Sequence, residues 1–321
     1  MTPGSPCMRR VPSAGRPHRR TPRPKRRRSA PSRWVGALRP YLYILPTFVF
    51  LIAFTYVPVV RSVWMSLHES HLAVARPVFV GLDNYRYAFS EPLFWKVLRN
   101  NLVYALATIP TSVGLGLFFA VLLNRPVAAS GLYRSSLFYP TVLPMAAASM
   151  LWLWMFTPGY GLVNHYLGKL GFPDIEWTGD PRYAMWALVI VGIWKYTGYY
   201  MVLLLAGLQT LPTELYEAAA IEGASPWQQF WRITFPLLSP TTFFVTVMAI
   251  INSFQSIDQV YLMTRGGPAN ATNMLVYYIY QVAFRFWDMG YASALSTVLF
   301  VVLLALTVLA FRVMHHRVHY A

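Results

Sequence analysis

Three groups of side chains in the 321-residue sequence have types and spacings that could do chemistry. At 213–240 the chain reads TELYEAAAIEGASPWQQFWRITFPLLSP, which sets the carboxylate of Glu217 beside the small residues Ala218 and Ala219, with Gly223 and Ala224 just beyond. A carboxylate next to small residues and a turn can seat closely against basic or amide groups of another surface. Lys195 is a lone cation in an apolar run. Placing a Lys at mid-membrane costs about 2.5–3.5 kcal/mol on the insertion scale, so it should face a bundle interior, a cavity or a partner. Tyr196 and Tyr199 follow it, and the next apolar run carries Asn252 and Gln255, three apart and so on one helix face. Aromatic faces and amides suit a polyhydroxylated ligand, through stacking on C–H faces and hydrogen bonds to hydroxyls. Each group also has a plainer reading. Glu217 can be a solvated helix charge and Gly223 a helix stop. Lys195 can be a packing group that reaches backbone carbonyls or snorkels, and the polar residues can glue helices together.

Other chemistries are missing. No G-x-x-x-x-G-K-[ST] occurs: Gly168-Lys169 is followed by Leu170, and Val163 stands where the first Gly belongs, so the chain cannot hydrolyse ATP by that route. There is no H-E-x-x-H and no Cys-His metal set, and Cys7 is the only cysteine, which excludes a disulfide-rich domain. Neither a metal nor a cofactor is expected. Asn270-Ala271-Thr272 matches a glycosylation sequon, a pattern common by chance. A membrane-embedded enzyme acting on lipid would need paired carboxylates or His at membrane depth. All 11 acidic residues, and the His, map to loops or span ends, which leaves that class a remote alternative.

The elements that must position these groups follow from composition. Hydrophobic residues make up 56% and charged ones 12%, against about 25% charged in a soluble domain, and mean hydropathy is +0.42. The fold class is therefore all-α, a polytopic membrane protein. At about 20 apolar residues per crossing, six transmembrane helices are expected near 41–60, 101–123, 137–156, 184–208, 237–257 and 292–311. An aromatic-rich stretch between 274 and 287 is too short to span and is expected as an interfacial helix.

The net charge of +16 is a property of the tail. Residues 1–40 hold 12 of the 27 Lys and Arg and no acidic residue. Residues 1–34 are expected as a disordered basic cytoplasmic tail that touches anionic headgroups and binds no nucleic acid, because an apolar span follows directly. The tail sets the N-terminus in the cytoplasm. Six spans return the C-terminus there, with Arg312 and Arg317, and make the loop at 209–236 cytoplasmic. The 68–99 loop, with Arg76, Arg86, Lys96 and Arg99, faces outward against the charge rule.

Within the 209–236 loop, local rules predict a helix, a tight turn and a second helix. Thr213 is expected to cap the first helix, with Glu214 and Glu217 in its first turn. Gly223 is expected in the left-handed conformation, Ser225 as the second cap with Pro226 at the first position, and Pro236 and Pro240 at the entry to span five.

Glu217-Ala218-Ala219, Gly223, Ile233 and Pro236 stand at the spacing of the EAA motif, with Phe235 where that motif has Leu. The segment from span one to the C-terminus resembles the permease subunits of ABC importers. The flanks Leu208-Gln209, Ile221-Glu222-Gly223-Ala224-Ser225 and Leu237-Leu238 resemble the carbohydrate branch, with Glu222 where Asp is usual. So do the stretches Phe79-Val80-Gly81-Leu82-Asp83-Asn84-Tyr85 and Thr264-Arg265-Gly266-Gly267-Pro268.

The resemblance implies the type I ABC importer permease fold over residues 35–321. It implies import of a sugar or oligosaccharide driven by separate ATPase subunits, with glycerol 3-phosphate as the alternative cargo. The implied partners are a second permease subunit, a cytoplasmic ATPase dimer and an extracytoplasmic substrate-binding protein, in an inner (plasma) membrane. The implied coupling residues are Glu217, Ala218, Ala219, Gly223, Ala224, Ile233 and Pro236, on a helix that docks on the ATPase. In the maltose-type permease the sugar contacts lie on the two spans flanking this loop. Tyr199 falls at a matching position, and Asn252 with Gln255 reproduces an amide pair after a one-residue shift. Lys195, Tyr196, Tyr199, Asn252 and Gln255 are the implied pathway residues.

Overall fold

The structure is a computed structural model that describes residues 33–71, 76–125 and 128–315. The basic run at 1–32 and Arg317 lie outside the described residues. In chain order the helices are α1 (Arg33–Leu51), α2 (Val57–Ser66), α3 (Asp83–Ser90), α4 (Pro92–Leu123), α5 (Ser130–Val142), α6 (Met145–Met155) and α7 (Leu162–Lys169). They continue as α8 (Pro181–Leu208), α9 (Thr213–Ile221), α10 (Pro226–Gln229), α11 (Phe235–Leu237), α12 (Ser239–Phe254), α13 (Leu275–Phe284) and α14 (Met289–His315). Strands β1 (His68–Glu69) and β2 (Val78–Phe79) pair antiparallel, His68 opposite Phe79 and Glu69 opposite Val78.

Residues 1–55 and 56–321 form two units. The described part of the first is α1 with the start of a wider helical turn, Ile52–Tyr56, and it displays apolar side chains such as Tyr43, Phe48 and Phe54. In the second unit α8 is the central element: Ala187, Leu188, Val191, Met201 and Leu204 are fully buried. Ala120 of α4, Met201 and Leu204 of α8, and Val245 of α12 share one cluster. Phe94 and Val97 of α4 pack with Val282 of α13 and Leu295 of α14 in another.

Four stretches are long and apolar enough to cross a membrane: Tyr43–Ser66, Pro92–Leu123, Pro181–Leu208 and Met289–Arg312. The third expected span is broken, and a second bend lies at the entry to the fifth. Ser130–Val142 and Met145–Met155 meet at 98°, and Pro226–Leu237 and Ser239–Phe254 at 67°, so the spans number four to six. The first break has a local cause. Leu143 precedes Pro144 and is extended (φ −65, ψ 136), because the proline ring disfavours the helical conformation in the residue before it. In α4, by contrast, Pro110 leaves the helix continuous. Hydroxyls there take up backbone carbonyls, with Thr111 Oγ1 donating to Ala107 O at 2.8 Å and Ser112 Oγ to Thr108 O at 2.6 Å.

The 274–287 stretch is a short helix as expected, but not a surface one throughout. Tyr277 and Tyr278 of α13 are buried against the bundle, and the exposed rings are Phe284, Phe286 and Trp287. α8 starts on Asp180, which accepts from the Arg182 backbone N–H at 2.8 Å. The Arg182 guanidinium, hydrogen-bonded to the same side chain, holds the Asp180 carboxyl below the usual carboxylate range.

Candidate functional site

The EAA-like segment folds into two short helices around a tight turn. α9 begins at Thr213 with Pro212 as the cap residue, and no side chain caps it. Thr213 is thus the first helical residue rather than the cap, because Pro212 already supplies the extended backbone before the helix. The far end follows expectation. Gly223 has φ +78, Ala224 N–H donates to Ala219 O at 2.9 Å and Gly223 N–H to Ala220 O at 3.1 Å. That pair of bonds is the Schellman closure, which needs a left-handed residue where Gly223 stands. Ser225 then makes a capping box with Gln228, and Pro226 occupies the first turn of α10. One bond ties the second arm to the first, Tyr216 Oη with Thr234 Oγ1 at 3.0 Å, and Gln229 Nε2 donates to Ala224 O in the turn at 3.2 Å.

This turn presents its contents outward. Glu217, Ala218 and Gly223 are exposed, Ala219 and Ala224 half-buried, and Ile233 and Pro236 half-buried at its base. Ile221 is 88% exposed and Trp227 70%. Large apolar groups clustered at that exposure mark a surface that another molecule covers.

The second group lies on α8. Lys195 is 6% exposed, and its ammonium donates to the carbonyls of Pro140 at 2.8 Å, Thr141 at 3.0 Å and Leu143. These carbonyls are free because α5 breaks: the helical partner of Pro140 O would be the N–H of residue 144, and Pro144 has none. The positive charge also sits at the negative end of the α5 dipole. Thr141 Oγ1 returns a bond to Lys195 O at 3.2 Å. Gly198 completes the contact. A Cβ there would overlap the Leu137 carbonyl oxygen, so only glycine lets α8 approach α5 this closely.

Tyr196, Tyr199 and Asn252 gather around a residue the sequence did not single out, Tyr200. The Tyr196 and Tyr200 rings stack at 6.0 Å, Tyr199 and Tyr200 lie 5.6 Å apart, and Asn252 Nδ2 points at Tyr200 Oη at 3.4 Å. The enclosed space between Tyr104, Tyr196, Tyr200 and Ser253 is about 10 Å³, too small for a ligand. Gln255 does not join them. It is the exposed residue just past the end of α12, while Asn252 is half-buried inside the helix.

Residues 112–320 match the family described as the binding-protein-dependent transport system inner membrane component. The chain belongs to that family. It is an inner membrane permease of a binding-protein-dependent importer. The permease is 36% identical to the sulfoquinovosyl glycerol transport system permease protein of Agrobacterium fabrum, over 88% of this chain and 93% of that one. It is 35% identical to the sn-glycerol-3-phosphate transport system permease protein of the same organism, over 88% and 96%. Among solved structures it is similar to a chain of the bacterial alginate ABC transporter in complex with an alginate pentasaccharide-bound periplasmic protein. The TM-score is 0.78 at 20% identity, covering 88% of the permease and 97% of that chain, a likeness in fold.

The permease also carries polar residues that sequence reasoning passed over. Gln259 is fully buried and donates to Tyr104 Oη at 2.7 Å. Asn101 Oδ1 accepts from Leu275 N–H at 2.6 Å, Asn100 donates to Asn270 O and Asn273 O, and Lys96 to Ala269 O at 2.7 Å. These bonds fasten the 265–274 loop to the first turns of α4. Thr272 of the sequon is buried in this fastening, bonded to Thr264 Oγ1 and Gly267 O. The signal in the sequence was the run Lys96 to Asn101, polar residues packed into the start of an apolar helix.

Proposed function

We propose that this permease subunit imports a sugar or oligosaccharide, taking its free energy from ATP hydrolysed by separate cytoplasmic ATPase subunits. It pairs with a second permease and receives substrate from an extracytoplasmic binding protein. Its amino terminus, its carboxyl terminus and the 209–236 loop face the cytoplasm, residues 1–34 are a basic tail and residues 35–321 the permease domain.

The observation that carries the sugar is the relative named for sulfoquinovosyl glycerol transport, matched over nearly the whole chain. The ring cluster of Tyr196, Tyr199 and Tyr200 with Asn252 adds to it, since aromatic faces and amides suit a polyhydroxylated cargo. The space beside Tyr200 is too small for a sugar, so the pathway in this reading runs between this subunit and the second permease.

The glycerol 3-phosphate relative, at similar identity, favours the second reading. A phosphate cargo wants cations along its path, and the ammonium of Lys195 is already bonded to three carbonyls. Glu217, Ala218 and Ala219 seat the loop on the ATPase, Gly223 and Ala224 hold the turn, and Ile233 and Pro236 transmit its movement into α12.

Proteoliposomes that hold the permease with its partner permease and ATPase, supplied with the binding protein, test the reading. Binding-protein-dependent uptake of a labelled sugar is expected. Uptake of labelled glycerol 3-phosphate in its place supports the second reading, and uptake of neither sinks both.

A further inference from the structure

A groove of about 540 Å³ lies between the last turns of α4 and the second arm of the 209–236 loop. Its α4 wall is Gly114, Leu117, Phe118 and Val121, and its opposite wall is Trp227 with Trp231. The apolar wall therefore follows α4 over two turns of a membrane span. At its end, and sharing Val121, Arg125 and Phe230 with it, a second pocket of about 190 Å³ opens. That pocket is polar: Asn124, Arg125, Tyr216, Gln229 and Thr234 line it. A second guanidinium stands close by, since Arg134 donates to Leu123 O at 2.8 Å, one residue from Asn124. The residues lining the two pockets include no acidic side chain.

We infer that this compound site binds an anionic glycerophospholipid of the cytoplasmic leaflet, one acyl chain in the groove and the phosphate in the polar pocket beside Arg125. The order of chemistry along α4 carries it. Apolar lining comes first along the span, with two indole rings facing it across the groove, and then a cation beside the amide of Asn124, which is the order of a lipid leaflet from tail to headgroup. This chain supplies no acidic lining residue to balance Arg125, and a lipid phosphate beside an acyl chain fits both pockets at once. Because Trp227 and Phe230 line the groove from the loop that carries Glu217 and Gly223, the lipid braces that loop against α4. The inference rests on the cytoplasmic orientation proposed above, which reporter fusions test separately.

The test uses the full-length permease in nanodiscs containing a trace of phosphatidylglycerol with a diazirine on one acyl chain. Gly114→Leu is the key variant, because a Cβ at Gly114 meets nothing within 4 Å and the new side chain enters the groove without disturbing the helix. Cross-links are expected in the peptides that hold 114–125 and 226–231. Unlabelled phosphatidylglycerol should compete them at least fivefold better than phosphatidylcholine. Gly114→Leu should reduce them at least fivefold, and Arg125→Gln should abolish the headgroup preference while the cross-link remains. Cross-links spread evenly over the other spans, or unchanged in Gly114→Leu, would overturn the site. Equal competition by the two lipids would overturn the anionic headgroup. With orientation confirmed by the fusions, either failure counts against the site alone and leaves the transport reading standing.

Discussion

The side chain of Lys195 on α8 is bonded to the carbonyl of Pro140 on α5, 2.8 Å away, at the point where the third apolar segment turns through 98°. One cation thus satisfies the backbone that a proline leaves open in a medium that offers no water. This gives Lys195 a structural task and makes its burial intelligible.

Lys195→Met should lower stability by about 3 kcal/mol, since it removes a charged donor and leaves buried carbonyls unpaired. Thermal unfolding of the purified permease in detergent measures this. A variant that unfolds at the wild-type temperature yet fails in uptake would place Lys195 in the pathway instead.

Gly198→Leu should destabilise by about 1–3 kcal/mol or more, because the side chain has no room beside Leu137. Gly114→Leu, in open space on α4, should leave the folded fraction unchanged. Size-exclusion profiles of the two variants make the comparison. Equal profiles would show that α5 and α8 do not meet at Gly198.

Tyr199→Ala, Asn252→Ala and Gln255→Ala should each lower uptake several-fold while sparing assembly and basal ATP hydrolysis. A lost hydrogen bond or stacking face costs about 0.5–1.5 kcal/mol. Membrane abundance must be measured alongside. Wild-type uptake in all three would put the substrate wholly within the partner subunit.

A cytoplasmic reporter fused after Ala220 and an export-dependent reporter fused after Gly171 should both be active. Reversed activities would invert the orientation drawn from the tail.

Helix identity was legible in the sequence, because an apolar run in lipid has few other conformations. So was the turn at 221–228: Gly223 and Ser225-Pro226 have strong local preferences, and the structure keeps each of them. The bends were harder to read. Pro110 and Pro144 look alike in an apolar run, yet α4 continues past the first while the chain turns at the second. Both disfavour the helix locally, and what sequence does not show is that Lys195, distant on α8, takes up the carbonyls the second one leaves open. The role of Tyr200 and the Gln259–Tyr104 bond were hidden for the same reason, since they depend on which faces of α4, α8 and α12 meet. Thr213 misled because Thr is a good cap by type, while Pro212 fixes the helix start one residue earlier.

The coupling of the 213–224 turn to ATP hydrolysis is tested most directly at Gly223. Its φ of +78 is one a β-branched residue resists, while the space around it is open, so Gly223→Val deforms the turn without crowding the bundle. The measurement is substrate-stimulated ATP hydrolysis by the complete transporter carrying that variant, with assembly checked by co-purification. The account predicts an assembled complex whose ATP hydrolysis no longer responds to loaded binding protein. An assembled complex with wild-type stimulation would contradict it.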